Sequence, residues 1–406
     1  MRGARSMIGP PAHTRWSEVG AEWLSERVTA TDPSPDSATA SFPDCVPVLT
    51  DGRVVLRAHA DADVPRMVEQ SVDPESVRWT TVPSPYTEKD ALTWFEGIRA
   101  GWESTKGPFL WALTEGTDTP TYLGTIDVRP QAAGIGVIGF GLHPEARGRG
   151  LMAAALRLAT RWWWDRGGVR MHWQANRGNF ASWRVAHACG FTYHGVIPGH
   201  LAHRGEALES WNASVGRDDD VTRPATPWWE PVPLAGDGIR LRPWCESDVD
   251  AVEPGDSPSH FMPRGAEPTR DTFAHWLLRK REQAAFGDAT HWCIVDAQTD
   301  RALGNVVLID RGQEEGSAEA GYFLFPSARG RGVASQAMEL LTAYAFRAQA
   351  DGGRGLRRLT ALSVGDNVAS ARVLERAGFT EWGREPQFCA RADGTYDDAR
   401  HWVRLP

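Results

Sequence analysis

The sequence predicts a mixed α/β protein in which one folding unit occurs twice. Three observations carry this. The chain has 406 residues, too many for one ordinary core and comfortable for two. Segments of alternating apolar residues are interleaved with segments whose apolar residues recur at helical spacing. The order of these segments, with many of their residues, then returns in the second half.

Taken in order, "VVLRAHADADV" from Val54 matches "IRLRPWCESDV" from Ile239. Each opens with the alternation of an edge strand and turns into a helix. "YLGTIDV" from Tyr122 matches "ALGNVVL" from Ala302, again strand-like. "IGFGLHPEARGRG" from Ile138 matches "AGYFLFPSARGRG" from Ala320, a strand running into an arginine–glycine loop. The helix after each loop repeats its stripe. Leu151, Ala155, Leu158, Ala159 and Trp162 have the same intervals as Val333, Ala337, Leu340, Leu341 and Tyr344, one face turned to a sheet. Gly167-Gly168 and Gly352-Gly353 are expected to end these helices, and the short strands "VRMHWQA" and "LRRLTALSV" follow.

"NFASWRVAHACGF" from Asn179 and "NVASARVLERAGF" from Asn367 both read N-x2-S-x7-G-F. Asn is a good N-cap and Gly a good terminator, so each is a short capped helix before another strand. The expected division is a loose leader at 1–50, a first domain at 51–216, a linker at 217–235 and a second domain at 236–406. The leader mixes Ser, Pro, Asp and Thr, with one short helix expected around "EVGAEWLSERV". Trp228 and Trp229, in the linker, are expected to pack against one of the domains. The first strands are open to antiparallel pairing, so the pattern is mixed α/β twice over, not one doubly wound sheet.

Composition narrows the function. A net charge of -8 argues against broad nucleic-acid binding and favours cationic or amine partners. No run of 18 apolar residues occurs, so no membrane span is expected. The arginines near the N-terminus have no apolar core behind them, so no secretory signal is expected. Five scattered cysteines without a CxxC read as unpaired thiols in a reducing cytoplasm. Nineteen tryptophans read as core and wall residues, a minority lining a substrate site.

A strand, a glycine-rich turn and a helix start together form an anion site. Glycines admit close approach of the backbone, free N–H groups point at the guest, and the helix dipole favours negative charge. Arg147, Arg149, Arg329 and Arg331 add positive charge, and a diphosphate is the obvious guest. Neither loop has a P-loop ending or a GxGxxG pattern, which disfavours nucleotide hydrolysis and a Rossmann cofactor.

With these motifs in place, each half resembles the GNAT superfamily of N-acyltransferases, most closely its RimJ/RimL-type ribosomal-protein N-terminal acetyltransferase branch. That family's coenzyme A loop reads R/Q-x-x-G-x-G/A. "RGRGVA" from Arg329 fits it fully, while "RGRGLM" from Arg147 has Met152 in the last small position. The resemblance implies two tandem folds, each a mixed, mostly antiparallel sheet splayed in a V between its fourth and fifth strands and flanked by helices. Acetyl-CoA or another acyl-CoA would lie in the V as donor. Its binding residues would be Leu142, Arg147, Gly148, Arg149, Gly150 and Asn179 in the first half. In the second they would be Leu324, Arg329, Gly330, Arg331, Gly332, Ala334 and Asn367. Backbone N–H groups near Leu142 or Leu324 would face the thioester carbonyl, where charge grows during attack.

The resemblance also sorts the proton carriers. The family's tyrosine acid, seven residues after the motif Asn, falls on Ala186 and Leu374 and is absent from both halves. Ser182 or Ser370 is the substitute hydroxyl. "AEAGYFL" resembles the branch's "AEIGY", whose Glu serves as base; that residue is Glu319, and its first-half match is Val137. The alternatives are a solvated edge carboxylate for Glu319 and simple helix capping for the Asn and Ser residues. No metal is expected from His194, His200 and His203, and His172 is open to either face of its strand. The reading is an N-acyltransferase acting on a small-molecule or peptide amine by direct attack, the second half favoured as catalytic. Aromatic walls are expected around the amine. Two rivals are a natural-product acyltransferase fed by an acyl carrier protein and a non-catalytic acyl-CoA sensor.

Overall fold

A computed structural model describes residues 41–406 apart from 117–120, 257, 264, 311 and 366; the expected leader helix lies outside these. The first half carries strands β1 (Leu49–Thr50), β2 (Val54–Arg57), β3 (Phe109–Glu115), β4 (Gly124–Pro130), β5 (Ile135–Leu142), β6 (Arg170–Asn176), β7 (Thr192–His203) and β8 (Glu206–Gly216). They line up as β1-β2-β3-β4-β5-β6-β8-β7. The second half repeats that order with β9 (Leu234–Ala235), β10 (Ile239–Arg242), β11 (Ala289–Asp296), β12 (Ala302–Ile309), β13 (Ser317–Leu324), β14 (Arg358–Val364), β15 (Thr380–Ala390) and β16 (Tyr396–Arg404). Every neighbouring pair is antiparallel except β5 with β6 and β13 with β14.

Those parallel pairs are where each sheet opens. β5 and β6 are paired from Ile135↔Arg170 only as far as Ile138↔Trp173, and β13 and β14 from Ser317↔Arg358 only as far as Glu319↔Thr360. Beyond that point the two strands are no longer paired with each other, which is the expected V. It falls between the fifth and sixth strands of each sheet because a two-residue strand, β1 or β9, is added at the edge.

On one face lie helices α4 (Leu151–Asp165) and α5 (Phe180–Ala188) in the first half, and α7 (Val333–Phe346) and α8 (Val368–Arg376) in the second. Their apolar stripes are buried, with Leu151, Ala155 and Ala159 matched by Val333, Ala337 and Leu341. The other face differs. The first half covers it with α1 (Val64–Val72), α2 (Pro74–Trp79) and α3 (Glu88–Glu103); the second has a short turn at Glu246–Ala251, irregular chain, and α6 (Phe273–Ala285).

Three local expectations need adjusting. Residues 42–50, expected as leader, belong with the first half: Val46 is buried in its core, and the indole of Trp111 donates to Pro47 O at 3.0 Å. The end of the linker segment forms β9. Ahead of it, Trp229 N–H donates to Ala284 O at 2.9 Å, and the Arg184 and Arg354 guanidinium groups lie over Trp228 and Trp229. Helix α7 ends at Phe346, short of Gly352-Gly353, because the chain folds back: a Cβ on Gly353 would stand 2.2 Å from Arg347 O.

The halves share a core. Ala285 at the end of α6 is fully buried among first-half residues. Phe286 stacks on Tyr193 with ring centroids 3.6 Å apart. The Trp183 indole donates to Ala285 O at 3.1 Å. Arg177 forks onto Glu282 at 2.7 Å through two nitrogens, and Trp211 donates to the same carboxylate at 2.9 Å. Glu282 is buried and Arg177 half-buried, so the carboxylate depends on its partner.

Candidate active site

Each RGRG loop delivers a strand end to a helix start. Gly148, Gly150, Gly330 and Gly332 all have φ between 71° and 79°, a region open to glycine but costly for other residues. Gly150 and Gly332 are the helix N-caps, and no side chain caps the N–H groups that follow. A Cβ on any of the four would meet nothing within 4 Å, so the space over the loop is open. Uncapped N–H groups thus face open space, the geometry that an anion cradle requires.

The loop arginines are largely spent on the protein. Arg147 donates to Asp73 at 2.6 Å, to Ser76 and back to Leu142 O. Arg329 bonds Leu324 O through two nitrogens and pairs with Asp256. Arg149 pairs with Glu115, and Arg331 stands 4.0 Å from Asp296. Arg147 and Arg329 thereby pin the strand end beside the loop. Phe325 N–H bonds Leu303 O and His143 N–H bonds Leu123 O, both at 2.9 Å. Successive N–H groups of a strand point to opposite edges, so those of Leu324 and Leu142 face the open V.

In the second half a cavity of about 1130 Å³ is lined from both faces of the splayed sheet. On the helix side are Arg329, Gly330, Gly332, Ala334, Asn367 and Ser370. On the other are Glu319, His291, Asn305, Lys280 and Glu267, with Tyr193 arriving from the first half. Aromatic walls were expected. They are present as Tyr193, Phe261, Phe286, Tyr322 and Phe323, but no tryptophan among the described residues lines the cavity.

Asn367 Oδ1 accepts from Ser370 N–H at 3.0 Å, and Asn179 Oδ1 from Ser182 N–H at 3.1 Å. Both are N-caps, and in each the Oδ1 is the atom so used. Glu319 lines the cavity with no hydrogen-bond partner among the described residues, and burial raises its pKa. Glu267 is raised for the same reason.

Sequence reasoning missed Tyr322. Strand alternation puts it on the α8 side, where its hydroxyl donates to Ser370 Oγ at 3.1 Å. Burial raises its pKa and holds it as a phenol. The signal was the Tyr of "AEAGYFL", three residues after Glu319, against Phe140 in the first half. Also missed were Arg372 and Arg376, one turn apart on α8, which line the cavity without a carboxylate partner among the described residues. Their first-half counterparts are Arg184, paired with Glu230, and Ala188.

The first-half V is filled. Register equates Val137↔His172 with Glu319↔Thr360, so Trp173 stands where the second half has Ala361. Counting from the motif Asn, Trp183 stands where the second half has Ala371. Both tryptophans are buried, with ring centroids 5.4 Å apart. The Trp173 indole donates to Ser182 Oγ at 3.0 Å, which occupies the hydroxyl expected to act in chemistry. On the other face Asp127 and Arg129 pair at 2.6 Å and lie against Gly139, while Gln70 covers Gly141. His172 sits on the face of β6 away from Trp173, beside Arg170 and His194. His143 is buried between Arg66 and Glu69. Burial pushes the Cys189 thiol up to about 12, unsuited to nucleophilic attack. Among the described residues no cluster of His, Cys, Asp and Glu is arranged to hold a metal, and no helix is long and apolar enough to cross a membrane.

Two splayed sheets, each with a glycine cradle at the open end, define the class. The family described as "Acetyltransferase (GNAT) domain" matches residues 53–192 and again 239–380, well over half the chain, and the chain belongs to that family. It is 38% identical over 109 residues to the probable N-acetyltransferase YjcK of Bacillus subtilis, covering 26% of this chain and 57% of that one. It is 30% identical over 126 residues to the uncharacterized N-acetyltransferase YoaA of the same organism, covering 31% and 64%. The matches thus span less than two thirds of these relatives' length. Among solved structures it is similar to the ribosomal-protein-S5-alanine acetyltransferase from Vibrio fischeri, at 20% identity and a TM-score of 0.35, over 43% of this chain and 97% of that one.

Proposed function

We propose that the chain is a cytoplasmic N-acyltransferase that moves an acyl group, acetyl in the simplest case, from acyl-CoA to an amine in the cavity of its second half. The observation that carries this is one continuous cavity through the splayed sheet, with the glycine cradle on one side and Glu319 on the other. The diphosphate sits on the N–H groups after Gly330 and Gly332, with Arg372 and Arg376 supplying the positive charge that Arg329 spends on Asp256. The amine enters from the Glu319 side. Its nitrogen attacks the thioester carbonyl, whose oxygen takes a hydrogen bond from Leu324 N–H. The amine proton passes to Glu319, directly or through water, as the new C–N bond forms. The C–S bond breaks, and the leaving thiolate takes the Tyr322 proton, with Ser370 holding the phenol in place.

The first half is the non-catalytic copy in this reading, because Trp173 and Trp183 occupy the space an acyl-pantetheine arm would need. A carrier-protein donor would dock on free cations beside the loop and gains no support, since Arg149 and Arg331 face Glu115 and Asp296. Calorimetry with acetyl-CoA, followed by thiol release over an amine panel, tests the proposal. One site per chain and release with at least one amine are expected. Two sites would overturn the choice of half. Binding without release on any amine would leave the chain a sensor.

A further inference from the structure

The sheet-facing stripe of α6 begins with Phe273, Trp276 and Leu277, all buried. These three fix which later positions face the same way, namely Lys280, Gln283 and Ala284. A cation and an amide therefore stand where packing asks for apolar side chains. Opposite them the sheet presents buried His291, at the register position where the first half has Leu110. Gln283 Oε1 receives both Lys280 Nζ, at 3.3 Å, and the His291 ring, at 3.0 Å.

Lys280 is half-buried, lines the cavity, and has no carboxylate within ion-pairing reach among the described residues. Its near charged neighbour is Arg279, which also lines the cavity and is bonded to Gly265 O. Burial and that like charge hold Lys280 down at about 8. The cavity's carboxylates are disposed elsewhere. Glu282 is locked to Arg177, Asp256 to Arg329, Glu267 lies in the field of Arg329, Asp288 lies beyond the end of α6, and Glu319 sits on β13 across Val307 and Ile309. Lys280 is also one of only three lysines in the chain, with Lys89 and Lys106. The Lys280 ammonium has an amide oxygen and, 5.4 Å away, the Trp276 ring for company, which leaves it short of the counter-charge that an anionic ligand would supply.

We propose that the acceptor is an amine that also carries an anionic group, carboxylate or phosphate, and that Lys280 with Arg279 receives that group while the amine lies toward Glu319. This rests on the acyl-transfer reading above and names the substrate class for the same site.

Thiol release from acetyl-CoA is compared within matched pairs: γ-aminobutyrate against butylamine, and phosphoethanolamine against ethanolamine. The anionic member of at least one pair is expected to show a kcat/KM about tenfold higher or more. Which pair discriminates separates carboxylate from phosphate. Lys280→Gln removes the preference by raising KM for the anionic member toward that of the neutral one; Lys280→Arg keeps it. Equal rates within both pairs, or a preference that survives Lys280→Gln, overturns the inference. A readout without turnover is acetylation of Lys280 by an N-hydroxysuccinimide ester near pH 8, followed by mass spectrometry with Lys89 and Lys106 as internal controls. γ-Aminobutyrate or phosphoethanolamine protects Lys280, and the neutral partners do not. Protection without transfer to any amine retires the acyl-transfer reading and leaves the anion site standing. Absence of protection retires the anion site, whatever the transfer assay shows.

Discussion

The two halves are the same fold with opposite interiors. Strand order, the parallel pair that opens, the αL glycines and the Asn-capped helix recur in both. What differs is the filling of the V: two tryptophans in the first half, two alanines in the second. The far face differs in the same sense. The first half closes it with its own helices and the Asp127–Arg129 pair, and the second leaves a cavity walled by α6 and irregular chain. On the function proposed above, a coenzyme loop is a weak marker of an active copy. The residues that leave room behind the loop are the stronger one.

The comparison breaks most sharply at Ala361. Ala361→Trp puts into the second half the residue the first half carries, and acetyl-CoA binding by calorimetry is expected to vanish while far-UV circular dichroism is retained. Glu319→Gln comes next, with kcat lowered about 100-fold. The pH profile sharpens that prediction. Burial raises the Glu319 pKa, so wild-type activity falls as pH drops through that raised value, and the variant's residual rate loses that limb. Stability moves the other way. A raised carboxylate pKa means that the fold prefers the protonated form, so ionised Glu319 weakens the fold above the usual carboxylate range, and Glu319→Gln is expected to raise Tm at neutral pH. Tyr322→Phe keeps the ring and removes the proton, for an expected loss of about tenfold in kcat with KM for acetyl-CoA unchanged. The smallest effect is Ser182→Ala. Turnover stays within about twofold, and stability falls by about 1 kcal/mol as the Trp173 indole loses its acceptor.

The sequence made the repeated topology legible because its signals are local. Strand alternation, the glycine turns at 148–150 and 330–332, and the Asn caps at 179 and 367 are each set within a few residues. The place of Glu319 on the strand before the loop was legible through its motif. The plug was not. Trp173 and Trp183 read as ordinary core residues, and only the register of β5 against β6 shows that their counterparts are Ala361 and Ala371. Tyr322 was hidden similarly, because a tyrosine on a strand meets Ser370 only after the sheet opens. The carboxylate partners of the loop arginines were not legible either. Their partners Asp73 and Asp256 are some 70 residues away, and no spacing rule links them.

Helix α6 is a wall of the cavity and, at its end, a plug in the neighbouring core. Phe286 and Ala285 cannot leave the first half without dragging Gln283 and Lys280 out of line in the second. Heat will therefore find no weak seam between the halves, and a calorimeter will record residues 42–406 melting in a single transition. A molecule bound in the second half is therefore expected to delay the collapse of the first half as well.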